Sequence, residues 1–554
     1  MMRKILVLGS LTAAVLTAQT TIATASVSGV VRDKTNGQPL PRYTVSTYIN
    51  ASWIDNSVIS NAATKEVKST SDASGRYKLA GLPPGSYRIG IRSPLGSTND
   101  AARQVTVNGS DVENIDFRVL VEGMIAGKVV DEDKQPVAGM WVRLVSREYE
   151  LGNLGYFYGT STAVTNKDGK YTLTGVSPAR VYFVIVERND RNLPAHSDIP
   201  IDRKLRKAAA MPVWYPNSPS KEGAQGVILR SGERRAGVDI EMRKSPPYCV
   251  EGTAMGPAGA AAMHFGIETL QPSNGLSSGV GAFASPPGGV TAADGKFRIC
   301  DLNPGSYRLS VEDANRTAES VPNYGAVEFA VVDQDIHGIK IPAAPGRTLD
   351  AETVWDGDPP PSPVSLPLLM LLAPLNGAGG QHGGQMAIPG RFTFKGIVST
   401  DYAVRTFFNV PGVYVKDIGY AGRSAMYEPL RMGTGPSGEG LRITMAHNGA
   451  ALSVAVADKD GNPGADLRVL LFPAEVRSEG MLAVRLVQGL TNQAGRYVSQ
   501  TLPPGKYCVV ATDESVDATP ESIGRLWNAR NRFQTVDLTP GATAQLKLEP
   551  GKIE

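Results

Sequence analysis

The chain is punctuated by one stretch, Asp168-Gly169-Lys170-Tyr171-Thr172-Leu173-Thr174-Gly175-Val176, that returns in recognisable form four more times. The other copies open at Asp72-Ala73-Ser74-Gly75-Arg76-Tyr77, Asp294-Gly295-Lys296-Phe297, Ile388-Pro389-Gly390-Arg391-Phe392 and Asn492-Gln493-Ala494-Gly495-Arg496-Tyr497. Gly75, Gly169, Gly295, Gly390 and Gly495 mark the period, with spacings of 94, 126, 95 and 105 residues. Self-similarity on that scale means a row of repeated domains rather than one continuous fold.

Each copy has a local physical reading. Asp or Asn close before a Gly reverses the chain, because the side chain caps its own turn and Gly accepts positive φ. Tyr171 and Leu173, then Tyr182 and Val184, alternate as one buried face of two strands, while Thr172 and Thr174 face the other way. A Pro-Gly between the two strands, as in Leu82-Pro83-Pro84-Gly85-Ser86-Tyr87, makes a second reversal. The element is therefore a strand, a corner and a strand, hairpin-like, with an aromatic face that a second sheet must cover. Asp72, Asp168 and Asp294 read as turn caps; a calcium loop would need six or more oxygens, and no cluster of acids follows them.

Around this element the same order recurs. The first unit opens with Val27-Ser28-Gly29-Val30-Val31, turns at Asn36-Gly37-Gln38-Pro39 and enters a strand with Val45 and Thr47. Units two and five repeat that order from Ile125 and from Leu452, and each unit closes on an apolar alternation such as Val238-Asp239-Ile240-Glu241-Met242. Sixty Gly and 39 Pro suit turn-rich strands. The expected fold is all-β, a tandem array of about five immunoglobulin-like or transthyretin-like β-sandwiches, at roughly 100 residues each. The boundaries fall at 26–121, 122–245, 246–345, 346–447 and 448–554, behind a leader of residues 1–25.

Gly-x-Val near the start, a Pro-containing turn, Asp-x-x-Gly-x-Tyr-x-Leu and Leu-Pro-Pro-Gly-x-Tyr together resemble the carboxypeptidase regulatory-like domain, a transthyretin-like (prealbumin-like) sandwich. The resemblance is strongest in units one, two and five, and weakest in unit four, where the Pro-Gly-x-Tyr half has become Val398-Ser399-Thr400-Asp401-Tyr402. It implies a scaffold or binding module, in an array similar to envelope proteins of soil bacteria, with a fold grouped with carbohydrate-binding-like domains. Fold analogy alone does not assign a function.

The leader reads as a signal peptide. Arg3 and Lys4 precede an apolar run from Ile5 to Ala18, and Ala23-Thr24-Ala25 supplies a small-residue cleavage site. That run is short of the roughly 20 residues a membrane span needs, so the protein is expected to be exported to the periplasm, outer surface or extracellular space, with no integral membrane segment after cleavage. A net charge of +3 gives no electrostatic case for nucleic acid.

Catalytic chemistry finds no support in the residues, and no cofactor or metal is expected. The five histidines, His196, His264, His337, His382 and His447, are scattered over the units; His264 with Glu268 comes nearest to a zinc-ligand spacing, but on a strand, which does not place both on one face as a helix would. Gly275-Leu276-Ser277-Ser278-Gly279 matches a nucleophile-elbow pattern without the flanking strand and helix that the elbow requires, and reads as a loop. Leu366 to Leu375, the most apolar internal run, contains two prolines and reads as a strand of unit four.

Cys249 and Cys300 fall on matching parity of two strands in unit three and are a candidate disulfide, which an exported protein permits. Cys508 is left as a buried thiol. Trp141, Tyr156, Tyr158, Trp214 and Tyr215 are candidate glycan contacts, against the plainer reading that they pack local loops. The sequence thus points to a non-enzymatic structural, adhesive or binding scaffold whose partner is an envelope protein or a polysaccharide, with carbohydrate binding through loop aromatics as the alternative.

Overall fold

A computed structural model describes residues 24–49, 52–54, 57–59, 64–95, 98–187, 209–210, 213–218, 221–242, 244–245, 248–269, 288–302, 304–314, 321–361, 367–375, 381–408, 410–432 and 439–553. The leader up to residue 23, His196 and the Gly275-to-Gly279 loop lie outside them. The described chain is all-β, and its strands sort into five successive sandwiches with separate hydrophobic cores.

In sandwich 1 the sheet Arg76–Leu82, Ala25–Asp33, Phe117–Val119 faces the sheet Lys65–Thr70, Thr44–Ile49, Gly85–Arg92, Thr98–Val107. Sandwich 5 repeats this with Arg496–Val498, Ala451–Val456, Thr543–Leu548 against Val487–Leu490, Arg468–Pro473, Gly505–Thr512, Gln534–Leu538. The apolar run of unit four is indeed a strand, Leu368–Pro374, central in its sheet. Alternation decides the faces: in Arg76–Leu82, Tyr77, Leu79 and Leu82 are buried while Arg76, Lys78 and Ala80 are exposed. Each fully buried Leu, Ile or Val contributes about 1.5–3 kcal/mol.

The recurring stretch is not a hairpin. Arg76–Leu82 pairs with Ala25–Asp33, whereas Gly85–Arg92 pairs with Thr44–Ile49, so the corner crosses from one sheet to the other. Proline supplies no N–H to a ladder, and Gly81 turns out of the strand at φ +77°. Tyr77 and Tyr87 consequently meet in one interior from opposite sheets. The corner carries its own tie: the Tyr87 hydroxyl donates to the Pro83 carbonyl at 2.8 Å, as does Tyr507 to Pro503 at 3.0 Å. Tyr402 does the same to Val398 at 3.0 Å, so the worn fourth copy keeps the contact after losing its Pro-Gly.

The turn before the strand is capped as the sequence suggests in some units and differently in others. Asp72 Oδ1 accepts from the Ser74 and Arg76 amides, both at 2.8 Å. In sandwich 2 the corresponding cap is Asn166, not Asp168, and in sandwich 5 it is Asn492. Sandwich 3 has Ala292 at this position, and Asp294 instead accepts from the Lys296 amide at 3.1 Å and pairs with the Lys296 ammonium at 2.7 Å. One residue earlier stands a hydroxyl: Ser71, Thr165, Thr291 and Thr491 are all buried. Each accepts from the amide opposite it on the strand paired with its own, those of Tyr43, Met140, Met263 and Leu467, at 2.9 Å. These hydroxyls fix the point where the chain leaves that sheet for the motif turn; a Ser or Thr four residues before the motif glycine was their visible signal.

Gly29, Gly127 and Gly252 answer a close approach. A Cβ on them would stand 2.0, 1.9 and 2.2 Å from the carbonyl oxygens of Ile115, Val238 and Ile339 in the closing segment. The motif tyrosine then satisfies that oxygen: Tyr77 donates to Ile115 at 2.6 Å and Tyr171 to Val238 at 2.5 Å.

Sandwich 5 adds two helices, α1 (Glu479–Arg485) and α2 (Pro520–Ala529), capped by Ser478 and Thr519. They lie over the outer face of its four-stranded sheet and bury Leu470, Phe472, Leu482, Ile523 and Leu526 in a second core.

Candidate functional site: the junction around the fifth sandwich

Sandwich 5 docks on sandwiches 1, 2 and 4. Toward sandwich 1, Arg103 pairs with Asp466 at 2.9 Å, with the two side chains only 8% and 10% exposed. Arg103 also lies 5.2 Å from the Phe117 ring centre. Burial pushes the Arg103 guanidinium down and the Asp466 carboxyl up, each against the pull of its partner. Asp466 sits in the left-handed region at φ 60°, where Arg42 of sandwich 1 and Gly139 of sandwich 2 also turn the chain before the second strand. Lys34 of sandwich 1 donates to the Asp513 carbonyl.

Toward sandwich 2 the agent is a long hairpin, Trp141–Glu150 with Asn153–Val164. Near its tip the Tyr149 amide donates to the Ala518 carbonyl at 2.6 Å, and its hydroxyl to Glu479 at 2.7 Å. At the tip itself a Cβ on Gly152 would meet Ala403 of sandwich 4 and Val484 of sandwich 5, each at 3.2 Å. Arg180 bridges Glu148 of the hairpin and Asp517 of sandwich 5, both at 2.8 Å. Burial works against the Arg180 charge, but Asp517 and Glu148 outweigh it and raise the guanidinium above its ordinary value. Asp517 is likewise buried, yet Arg180 and the hydroxyls of Thr519 and Ser522 hold it below the usual carboxylate range. Toward sandwich 4, Arg485 donates to the carbonyls of Met426 at 2.7 Å and Val404 at 3.2 Å, and burial pushes its guanidinium down to about 10.

A cleft of about 330 Å³ opens where sandwiches 1, 2 and 5 meet, lined by Lys34, Arg180, Glu514, Asp517 and Arg525. Its charges answer one another: Arg180 has Glu148 and Asp517, and Arg525 has Glu514. Such an arrangement fastens domains together. None of these junction residues was singled out from the sequence, because each is a departure from the repeat rather than part of it. Arg180 occupies the place of Gly85 and Gly505, two residues before the corner tyrosine, and that break in the pattern was the available signal.

The expected glycan contacts are partly gathered and partly removed from solvent. Trp141, Tyr156 and Tyr158 are half-buried on the outer face of the sandwich 2 sheet. Trp214 is 1% exposed: it forms a short strand against Val181–Glu187 and packs under Tyr156, so it offers no ring face to a sugar. Tyr215 packs against the core of sandwich 2. Cys249 and Cys300 are joined, with sulfurs 2.21 Å apart and Cα atoms 4.0 Å apart, and Cys508 is a buried free thiol. Among the described residues no group of three or more His, Cys, Asp or Glu side chains could hold a metal ion, and no helix is long and apolar enough to cross a membrane.

Fold and junction together define a multi-domain, all-β protein of tandem sandwiches. The sequence model of the carboxypeptidase regulatory-like domain matches residues 26–120, the span of sandwich 1, and sandwiches 2, 3 and 5 share the order of strands and turns found there. Among solved structures the chain is similar to a streptococcal ancillary pilin (14% identity, covering 58% of this chain and 99% of that one, TM-score 0.19). It is also similar to GBS52, a minor pilin of Streptococcus agalactiae (14% identity, 40% and 97%, TM-score 0.22). A third is the Bacillus anthracis TIE protein (10% identity, 95% and 74%, TM-score 0.14). No curated protein matches the chain.

Proposed function

We propose that this protein is a non-enzymatic, exported scaffold that holds a set of β-sandwiches in fixed relation at the cell envelope and presents their surfaces to other macromolecules. The observation that carries the reading is the buried Arg103–Asp466 pair, supported by Arg180–Asp517, which fixes the last sandwich against the first two. Ionic groups buried between domains specify one geometry, because removing one partner leaves the other charge stranded at a cost of about 3–5 kcal/mol. Export is supported by the leader sequence and by the Cys249–Cys300 disulfide, a bond that persists in oxidising compartments. Carbohydrate binding through Trp214 and Tyr215 loses its basis with the burial of Trp214.

Small-angle scattering on the full chain tests the fixed arrangement. The wild type is expected to be compact, Asp466→Arg to raise the radius of gyration, and Arg103→Asp combined with Asp466→Arg to restore it. An extended wild type, or a single variant as compact as the parent, would sink the proposal.

A further inference from the structure

The outer face of the sandwich 2 sheet carries two arginine-over-tyrosine pairs side by side. In the first, Arg143 lies 3.2 Å over the centre of the Tyr158 ring. Glu187 completes it, accepting from Arg143 Nη1 at 2.9 Å and from the Tyr158 hydroxyl at 3.0 Å. In the second, Arg147 and Lys221 stand 6.0 Å and 5.1 Å from the centre of the Tyr156 ring. Here the carboxylate is missing: among the described residues neither cation has an ion pair. Arg147 is exposed, while Tyr156 and Lys221 are half-buried.

We infer that Arg147, Lys221 and the Tyr156 hydroxyl form a docking site for a carboxylate carried on an acidic polypeptide segment of a partner protein. Charge complementarity sets the sign, and the neighbouring Arg143–Tyr158–Glu187 cluster shows the completed form of the same arrangement. A polypeptide fits this face for two reasons. Tyr, Trp and Arg dominate the energetic centres of protein interfaces, and Val164, 52% exposed beside Trp141, adds an apolar contact farther along the same sheet face, where a bound segment would run on from the cations. The strand Asn153–Val164 is also the outermost strand of its sheet, so its far backbone edge can accept an added strand.

The test uses the full chain and a short fluorescent peptide alternating Glu with Leu, compared by anisotropy with the same peptide carrying Gln for Glu. The Glu peptide should bind at least tenfold more tightly. Arg147→Gln with Lys221→Gln should abolish that difference without moving the thermal midpoint, and Tyr156→Phe should weaken binding several-fold. Lys65→Gln with Lys68→Gln, on sandwich 1, should leave it intact. Equal binding of the two peptides, or an equal loss in the Lys65 and Lys68 control, would overturn the inference. So would polygalacturonate binding the Arg147 site more tightly than the peptide, which would assign the face to an acidic glycan, or displacement of the peptide by a second copy of the chain.

Discussion

Sandwiches 1 and 5 are built from the same order of strands, yet at the residue opposite the motif tyrosine one has Gly29 and the other Val454. In sandwich 1 the missing Cβ lets the closing segment fold over the first strand, and Tyr77 donates to the Ile115 carbonyl. Parallel pairing is broken there, with a single bridge at Val27 and Val112 before the ladder resumes at Val31 and Phe117. In sandwich 5 the Val454 side chain fills the interior, and the closing strand pairs without interruption from Ala451 to Val456. Sandwich 4 has Ala351 at this position, and its ladder too is continuous from there. One atom on one residue therefore decides whether a sandwich closes with a kinked segment capped by a tyrosine or with a straight strand.

The sharpest test of that statement is Gly29→Ala. The new methyl would fall 2.0 Å from Ile115 O, backbone that cannot rotate aside. Overpacking of this kind costs up to about 3 kcal/mol. Native-state hydrogen exchange of the Val27-to-Asp33 amides in the full chain should report faster opening of sandwich 1 alone. If Gly29→Ala exchanges as slowly as the parent, the glycine is incidental and the comparison fails.

A second contrast lies on the outer face of the other sheet. Ser46 and Tyr48 of sandwich 1 are half-exposed, whereas their counterparts Leu470 and Phe472 are fully buried beneath α1 and α2. This difference marks where the sequence could be read and where it could not. The turn at Gly75, the alternation of Tyr77 and Leu79 and the number of sandwiches were legible, because each is fixed within a few residues and repeated. Thr519-Pro520-Glu521 carries a helix-start signature, but the period of the array argued for strands throughout, so α2 went unseen. The crossing of the corner between sheets was also hidden, since Tyr77 and Tyr87 would alternate identically in a hairpin. The pairing of Arg103 with Asp466 joins residues far apart in the chain, which no local pattern encodes. Trp214 looked like a loop aromatic because its burial depends on pairing with Ile185 across the sheet, a contact that no local pattern encodes.

Removing only the tyrosine hydroxyl should have a smaller effect than adding a methyl to Gly29. Tyr77→Phe keeps the ring in the core but leaves the Ile115 carbonyl without its donor, a loss of about 1 kcal/mol for a part-buried acceptor. The same substitution at Tyr497, which faces Val454 and a straight closing strand, should be milder. Denaturant titrations with exchange read out on each domain would show equal losses if the hydroxyl plays no special part in sandwich 1.

Sandwich 3 offers the converse experiment. It keeps the glycine, Gly252, and the kink, with a Cβ there 2.2 Å from the Ile339 oxygen and 2.6 Å from Phe297 Cζ, but its motif residue has no hydroxyl. The position of that ring tip matches Tyr171 in sandwich 2, whose hydroxyl would stand 3.0 Å from a Cβ on Gly127. Phe297→Tyr should therefore place a donor against the Ile339 carbonyl and stabilise sandwich 3 by about 1 kcal/mol, the net worth of one added hydrogen bond. The gain should appear as slower exchange at Val250 and Gly252 with sandwiches 1 and 5 unchanged. A neutral or destabilising result would mean that the kink carbonyl already has its partner in sandwich 3, and that glycine and tyrosine are separable rather than one device.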